Sequence, residues 1–166
     1  MIATLALALL SVPAATSAPA GLYWVSRVID GDTIELSNGQ RVRLVQIDTP
    51  EVYNGYECYG QEASAIAKRL LPAGTRVLLQ LEPASDPGDR YGRLLRYVIR
   101  AGDGVNVNLF LVAVGAAAPW FYDGEQGRYF ATLQTLAKRA KAKRLGLWGA
   151  CPRTVYDPYS AVTTRR

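Results

Sequence analysis

Three short polar clusters interrupt the apolar segments of the chain, and their side chains are of the types that act on phosphate esters. They are residues 30–33 (Asp-Gly-Asp-Thr), 48–51 (Asp-Thr-Pro-Glu) and 89–93 (Asp-Arg-Tyr-Gly-Arg), and Arg43 lies between the first two. Carboxylates supply hard oxygen ligands for a divalent cation, and a further carboxylate can accept a proton from water. Arginine presents a planar fork of donors that fits two phosphate oxygens. Each cluster alone is as typical of a turn or a loop, but together they indicate chemistry on phosphate groups.

The chain contains no histidine, which excludes the histidine-dependent classes of nuclease, protease and zinc enzyme. Histidine is the usual general base near neutral pH and the commonest protein ligand of zinc and copper. Acid–base chemistry must therefore use Asp, Glu, Lys, Tyr or a metal-bound water. A metal held by oxygen ligands would be calcium or magnesium.

The bulk composition is that of one ordinary globular domain with a basic surface. The chain has 166 residues, of which 49% are hydrophobic, and a formal net charge of +5. That length supports one well-buried core rather than two. The positive charge would attract a polyanion such as nucleic acid, although the same charge also serves solubility alone.

Residues 1–20 have the features of a secretory signal. Their apolar run, residues 2–10, is too short to span a bilayer, and the small residues Ala18 and Ala20 match a cleavage site. No Lys or Arg precedes the run, so a misassigned start or an uncleaved anchor is the alternative. We expect a secreted or periplasmic protein with no stable membrane association once the signal is removed.

The chain has two cysteines, Cys58 and Cys151, and both would remain after removal of the signal. An even number of cysteines in an exported protein indicates a single disulfide. Such a bond would connect the loop before the first predicted helix to the C-terminal region. The alternative is a pair of free thiols.

The pattern of β-branched and aromatic residues predicts five strands. The first three are separated by Asp-Gly at 30–31 and Asn-Gly at 38–39, dipeptides typical of hairpin turns, and form an antiparallel meander. The predicted strands are residues 22–29, 33–36, 41–47, 76–81 and 94–99. Arg43 and Asp48 would lie roughly 16 Å apart along a straight strand, so we expect coiling of a barrel strand and the long arginine side chain to bring them together.

Apolar spacing predicts three helices, over residues 61–71, 106–114 and about 125–144. The last one has a cationic face, which we interpret as solvated rather than as a binding groove. A helix between the third and fourth strands suits an α+β fold that is mainly β barrel: a five-stranded Greek-key barrel of the OB type with three packed helices. Residues 152–166 lack apolar periodicity and are predicted to be a flexible tail.

In its polar motifs the chain resembles the staphylococcal nuclease (thermonuclease) family. The resemblance rests on residues 28–33, 43–51, 59–63, 89–93 and 145–148, which occur in the family's order and at about its spacing. It covers residues 22–149 and indicates a nuclease domain over residues 21–151. It implies an OB barrel with three helices and calcium-dependent hydrolysis of DNA and RNA to 3'-phosphate products.

The resemblance also implies a role for each charged residue that matches a family motif. Asp32 and Asp48 match the calcium-binding carboxylates, and the backbone carbonyl of Thr49 matches the third protein ligand of the ion. Arg43 and Arg93 match the two arginines that clamp the scissile phosphate. Charge builds up on the phosphate oxygens during attack, so fixed cations would lower the barrier.

Glu51 matches the residue that the family uses as general base, a role that can also be read as positioning the attacking water. The segment that follows it, residues 52–59, contains Glu57 and Cys58 but no Lys or Arg. The best-known member of the family has a basic, mobile loop at this place. The resemblance therefore does not fix substrate affinity or product preference, which can differ from those of that member.

Four further residues are candidates for binding the rest of the nucleotide. Arg90, Tyr91, Trp120 and Tyr122 are of the types that stack on a base or contact a neighbouring phosphate. Aromatic residues beside a proline also serve as core or rim packing, which is the alternative for Trp120 and Tyr122.

A rival interpretation is an OB-type module that binds single-stranded nucleic acid without cutting it, because a fold does not fix an activity. A purely structural or protein-interaction domain would leave the polar clusters unexplained. We expect a monomer whose partners are DNA and RNA, with no organic cofactor. The sequence does not distinguish DNA from RNA as the biological substrate.

Overall fold

The computed structural model describes residues 21–53, 57–124 and 126–157, except for the side chain of Asp123. The predicted signal and residues 158–166 lie outside these ranges. None of the helices in the described ranges is long and apolar enough to cross a membrane.

Five of the strands close into a barrel, which confirms the predicted fold. In chain order the strands are β1 (Leu22–Val28), β2 (Thr33–Leu36), β3 (Arg41–Leu44), β4 (Ile47–Asp48), β5 (Arg76–Leu81), β6 (Leu94–Arg100) and β7 (Ala118–Pro119). The barrel order is β1-β2-β3-β6-β5, with β1 pairing with β5 to close it. All neighbours are antiparallel except β3 and β6, which run parallel.

Helices cover the barrel and complete its core. They are α1 (Gly60–Leu70), α2 (Val107–Ala113), α3 (Phe130–Ala142) and the short α4 (Leu147–Ala150). Fully buried side chains from the barrel, such as Ile34 and Val98, form one cluster with Leu111 of α2 and Leu133 of α3. The three predicted helices are therefore present, and each contributes its apolar face to the core.

The third helix begins later than predicted, at Phe130 rather than near residue 125. The main chain just before it is bound to a buried acid: the backbone N–H of Arg128 donates to Glu82 at 2.7 Å. Gly127 lies so close to Gln46 and Glu82 that a β-carbon there would overlap them. This segment is therefore held against the barrel and does not extend the helix.

The prediction of a single third strand over residues 41–47 is wrong. The strand ends at Leu44, and the chain resumes extended pairing only in β4, which is antiparallel to β7 and forms a separate two-stranded sheet. Between them Gln46 adopts a left-handed backbone with φ of 61°. Coiling of a continuous strand is therefore not what brings Arg43 and Asp48 together; a break in the strand does so.

Buried hydrogen bonds hold this break in place. The side-chain amide of Asn108 donates to the carbonyl of Val45 at 2.9 Å, and its oxygen accepts from the backbone N–H of Val98 at 3.0 Å. The backbone N–H of Trp120 donates to the carbonyl of Gln46 at 3.0 Å. Because such groups are costly to bury without partners, they fix the path of the chain.

The side chain of Gln46 enters a second buried polar cluster with Tyr97 and Glu82. The Tyr97 hydroxyl bonds to the Gln46 side-chain oxygen and lies 3.2 Å from the Glu82 carboxylate. Burial, and then the neighbouring Glu82 carboxylate, raises the pKa of Tyr97 above its ordinary value. Tyr97 therefore stays protonated and acts as a hydrogen-bond donor.

The C-terminal segment also packs on the domain. The structure places Cys58 and Cys151 in bonding position, with their Cα atoms 5.9 Å apart. Tyr156 is only 6% exposed and belongs to the core cluster. Of the segment predicted to be a flexible tail, residues 152–157 fall within the described ranges, and among them Tyr156 is buried whereas Pro152 and Arg153 are exposed.

Replacing Asn108 with alanine tests the hydrogen bonds that hold the break. The Asn108→Ala protein should lose about 2 to 4 kcal/mol of unfolding free energy, because the buried carbonyl of Val45 and N–H of Val98 would lose their partner. Urea unfolding measures the loss. The exposed Thr132→Ala change on α3 is the control and should stay within about 0.5 kcal/mol of the parent. Equal stability of the two variants would contradict the assignment.

Candidate active site

Three neighbouring strands present the predicted site residues at one edge of the barrel. Thr33 of β2 lies opposite Arg43 of β3, and Arg43 lies opposite Leu95 of β6. Asp32 and Arg93 directly precede β2 and β6, so both enter the site from the ends of strands that flank β3. The parallel pairing of β3 with β6 is what brings Arg93 to this edge.

Arg43 connects the two carboxylates that were predicted to bind metal. One nitrogen of its guanidinium forms an ion pair with Asp32, and the other lies 2.9 Å from Asp48. All three side chains are largely buried, with 15% of the Arg43 side chain and 8% of each aspartate exposed. Ion pairs shielded in this way are screened less by salt than surface pairs. The group of three carries a net charge of −1.

The orientation of Asp32 is fixed by the strand-end residues around it. Its Oδ2 accepts from the backbone N–H of Thr49 at 2.9 Å and from the Thr49 hydroxyl at 3.0 Å. A β-carbon on Gly31 would lie 2.5 Å from that hydroxyl, so the close approach requires glycine. The backbone N–H of Asp32 donates to Asp30 at 3.1 Å, which orders the turn between β1 and β2.

The donor set at this edge fits a hard divalent cation. No three acidic, cysteine or histidine side chains form a metal-binding group in the part of the chain that the structure describes. The two carboxylates of Asp32 and Asp48 already gather around one cationic group, the guanidinium of Arg43. Oxygen ligands and net negative charge suit calcium or magnesium, with main-chain carbonyl, water or phosphate oxygens completing the shell.

Arg93 is positioned by the loop that precedes β6. Its Nε lies 2.6 Å from the Asp89 carboxylate, which also accepts from the backbone N–H groups of Tyr91 at 2.9 Å and Arg93 at 3.0 Å. Burial opposes ionisation of Asp89, but these bonds from Arg93 and Tyr91 outweigh it and lower the pKa of Asp89 below its ordinary value. A terminal nitrogen of Arg93 also lies 3.5 Å from the Thr33 hydroxyl, beside Asp32.

Glu51 is exposed and follows Asp48 by three residues in the chain. Its main chain is held on both sides by Glu57: the backbone N–H of Glu51 donates to the Glu57 carboxylate, and its carbonyl accepts from the Glu57 N–H, both at 3.0 Å. The Tyr156 hydroxyl donates to the same carboxylate at 2.9 Å. Gly60, the first residue of α1, packs so closely that a β-carbon would lie 2.5 Å from the Glu51 carbonyl oxygen.

Sequence reasoning missed Glu57 and Tyr156 as members of the site. In the sequence, Glu57 is marked only as an acid in a segment without Lys or Arg, and Tyr156 lies in a segment that lacks apolar periodicity. They are 99 residues apart in the chain. The one signal that could have joined these regions was the cysteine pair, since Cys58 follows Glu57 and Cys151 precedes Tyr156 by five residues.

The residues predicted to bind the rest of the nucleotide line one cleft with the arginines. This cleft has a volume of about 560 Å³ and is lined by both Arg43 and Arg93, and by Arg90, Tyr91, Trp120 and Tyr122. Tyr91 is 68% exposed, and the guanidinium groups of Arg90 and Arg93 lie 4.9 and 5.4 Å from its ring centre. Tyr122, in the same lining, is 61% exposed and its ring centre is 5.9 Å from that of Trp120.

Comparison with known proteins identifies the family. Residues 41–150 match the family model described as staphylococcal nuclease homologue. The chain belongs to the staphylococcal nuclease family. It is 38% identical over 132 residues to a thermonuclease from Staphylococcus intermedius, in an alignment that covers 76% of this chain and 75% of the relative.

Two other relatives show how the staphylococcal nuclease domain is used elsewhere. A protein of Escherichia coli O157:H7 named as an uncharacterized endonuclease is 39% identical over 127 residues, covering 75% of this chain and 74% of the relative. Endonuclease YhcR of Bacillus subtilis is 34% identical over 139 residues, but the match covers only 11% of that protein. The same domain therefore occurs both as most of a protein and as a small part of a much larger one.

The contacts of Glu57 and Tyr156 predict that the C-terminal segment positions Glu51. The Tyr156→Phe change should lower kcat for nucleic-acid cleavage about 10-fold, because a misplacement of about 1 Å can lower a rate about 100-fold. In a Glu51→Gln background the same change should have no further effect, since the two residues act through one group. Cleavage rates of the single and double variants measure this coupling.

The exposed Val155→Ala change, next to Tyr156, is the matched control and should leave kcat unchanged. Additive losses in the Glu51→Gln, Tyr156→Phe double variant would show that Tyr156 acts on the fold and not through Glu51.

Proposed function

We propose that this protein is a calcium-dependent nuclease that hydrolyses phosphodiester bonds in DNA and RNA to 3'-phosphate products, and that it acts outside the cytoplasm. One observation carries the proposal: two arginines and a pair of buried carboxylates meet at a single edge of the barrel. Membership of the staphylococcal nuclease family supports it, as do the names of the thermonuclease and endonuclease relatives.

Arg43 and Arg93 would bind the oxygens of the scissile phosphate. Both are held rigidly before substrate arrives, Arg43 by Asp32 and Asp48 and Arg93 by Asp89. Donors fixed in this way stabilise charge that develops on the phosphate without having to reorganise. A metal ion bound by the nucleases of this family would neutralise the two carboxylates of this site and polarise phosphate and water oxygens.

Glu51 would act on the water that attacks phosphorus. A bond forms between the water oxygen and phosphorus, the bond from phosphorus to the 5' oxygen breaks, and the phosphate stays on the 3' oxygen. Glu51 accepts the water proton or orients the water, and the departing 5' oxygen takes a proton from solvent. Glu51 is exposed, so water can reach it.

Action on both DNA and RNA agrees with the groups that line the cleft. The arginines recognise phosphate, which the two polymers share, and the exposed rings of Tyr91 and Tyr122 offer faces on which any base can stack. Calcium is favoured over magnesium by the family resemblance, since oxygen ligands admit either ion. The secretory features of residues 1–20 support export.

A second candidate function is binding of single strands without cleavage, favoured by the exposed aromatic side chains beside the arginines. The two functions differ in what happens to the polymer when metal is present. Cleavage of the bound strand is therefore the property that separates them.

The nuclease proposal is tested with the mature chain, plasmid DNA and RNA. We expect cleavage with added calcium and none with a chelator. Arg93→Lys should lower kcat/KM about 100- to 1,000-fold, because lysine cannot replace the planar fork at the phosphate. Glu51→Gln should also lower kcat, whereas Arg139→Lys, on the exposed face of α3, is the control and should change neither constant. Cleavage without calcium, or full activity in both site variants, would overturn the proposal.

Export predicts a mature protein with a defined start and a closed disulfide. Protein recovered from the periplasm or the medium should begin at Pro19 or Gly21, as found by N-terminal sequencing. Its mass should increase by two hydrogens on reduction, because Cys58 and Cys151 would be bonded. A protein that keeps residues 1–18, or one whose mass does not change on reduction, would contradict the corresponding part of this proposal.

A further inference from the structure

A second cleft with basic walls lies at the other end of the barrel from the candidate active site. It has a volume of about 400 Å³ and lies where α1 ends, β5 begins and β6 ends. Its charged lining consists of Arg69, Arg76, Arg100 and Asp103. None of these residues has a role in the proposed cleavage, so this basic cleft needs its own explanation.

Two of the three arginines in the basic cleft have no acidic partner among the residues that the structure describes. Arg100 forms an ion pair with Asp103 and also donates to the carbonyl of Leu70 at 3.3 Å, so its guanidinium is fixed. Arg69 and Arg76 are exposed, and no carboxylate of the described ranges lies within 4.0 Å of either guanidinium. The lining therefore carries a net charge of +2, with two cations open to a ligand.

An exposed aromatic side chain lies next to the basic cleft. Trp24 of β1 is the direct cross-strand partner of Arg76 in β5. The following residues on the two strands, Val25 and Val77, are buried, so Trp24 and Arg76 both project from the outer face of the barrel. Direct partners have their side chains close together. Trp24 is 46% exposed, which leaves its ring open to stacking.

Strand β6 sets the distance between the two clefts. Arg93 directly precedes this seven-residue strand, and Arg100 is its last residue. At about 3.3 Å per residue, the seven steps from Arg93 to Arg100 separate the two arginines by roughly 23 Å along the strand. One strand of a duplex carries a phosphate about every 3.4 Å of helix axis, so roughly seven phosphates would span that distance.

We propose that the basic cleft is a second binding site for a nucleic-acid strand, in which Arg69 and Arg76 bind backbone phosphates and Trp24 stacks on a base. The site retains a long polymer on the enzyme while another part of the same strand occupies the active site. Arginine beside an exposed aromatic ring is the combination that binds single strands without sequence preference. The inference rests on the proposed function in taking nucleic acid as the substrate.

The salt dependence of binding tests the second site without any need for cleavage. Fluorescence anisotropy would measure the affinity of the mature chain for a labelled DNA strand of about 20 nucleotides, in chelator, between about 50 and 200 mM salt. The Arg69→Ala, Arg76→Ala double variant should reduce the magnitude of the log K against log salt slope by about 1 to 2, because each lost phosphate contact removes about 0.7.

The matched control removes the same two charges from a different face. Arg139 and Lys143 are exposed on α3 and at its end, and the Arg139→Ala, Lys143→Ala variant should leave the slope unchanged. Trp24→Ala should weaken binding of the single strand several-fold with the slope unchanged, since it removes stacking and no charge. An unchanged slope in the Arg69, Arg76 variant, or an equal loss in the control, would overturn the second site.

Cleavage kinetics separate this inference from the proposed function. With a dinucleotide substrate, which cannot span the two clefts, the Arg69→Ala, Arg76→Ala variant should keep the parent kcat and KM. With the longer strand its KM should rise several-fold at unchanged kcat. A protein that shows the slope change but cuts nothing would retain the second site and lose the nuclease proposal. A protein that cuts with calcium but shows no slope change would retain the nuclease proposal and overturn the second site.

Discussion

The active-site edge depends on one backbone feature, the break between β3 and β4. A continuous strand would hold Arg43 and Asp48 roughly 16 Å apart, whereas the left-handed residue Gln46 turns the chain and brings their side chains to 2.9 Å. Asn108 holds this break from the core side, and the main chain of Trp120, directly after β7, holds it from the other side. The same turn sends Gln46 into the polar cluster that also positions the segment before α3, so one irregular residue joins the site to the helical layer.

Rigidity around the break explains how like charges can be kept together. Asp32 and Asp48 would repel each other in a loose loop, but each is oriented by strand ends and shares the guanidinium of Arg43. Arg93 is oriented in the same manner by Asp89. The site thus consists of charged groups with fixed partners, and the barrel supplies the order that free side chains would lose.

The strands, the helices and the polar residues of this edge could be predicted from sequence because each leaves a local signal. Hairpin dipeptides marked the turns around β2, and apolar spacing marked α1 and α2. The break at Gln46 left no such signal, since residues 41–47 have the alternating apolar residues of a single strand and the contacts that stop it come from Asn108 and Trp120, more than sixty residues away. The late start of α3 has the same origin, because Glu82 binds the backbone of residue 128. Glu57 and Tyr156 were missed for the same reason: no local pattern links two positions 99 residues apart.

The parallel pairing of β3 with β6 affects the order in which parts of the active site can form during folding. Arg93 reaches the barrel edge only when β6 pairs with β3, a strand much earlier in the chain, and Glu57, which holds the main chain of Glu51, accepts a hydrogen bond from Tyr156. Contacts between such distant positions form late, because the intervening chain must first be ordered. A chain still emerging from the ribosome before residue 93 lacks Arg93 beside Thr33 and Arg43, and one that ends before residue 156 lacks the tyrosine that binds Glu57. The fold therefore delays assembly of the whole charged constellation until nearly the last residue of the domain has been delivered.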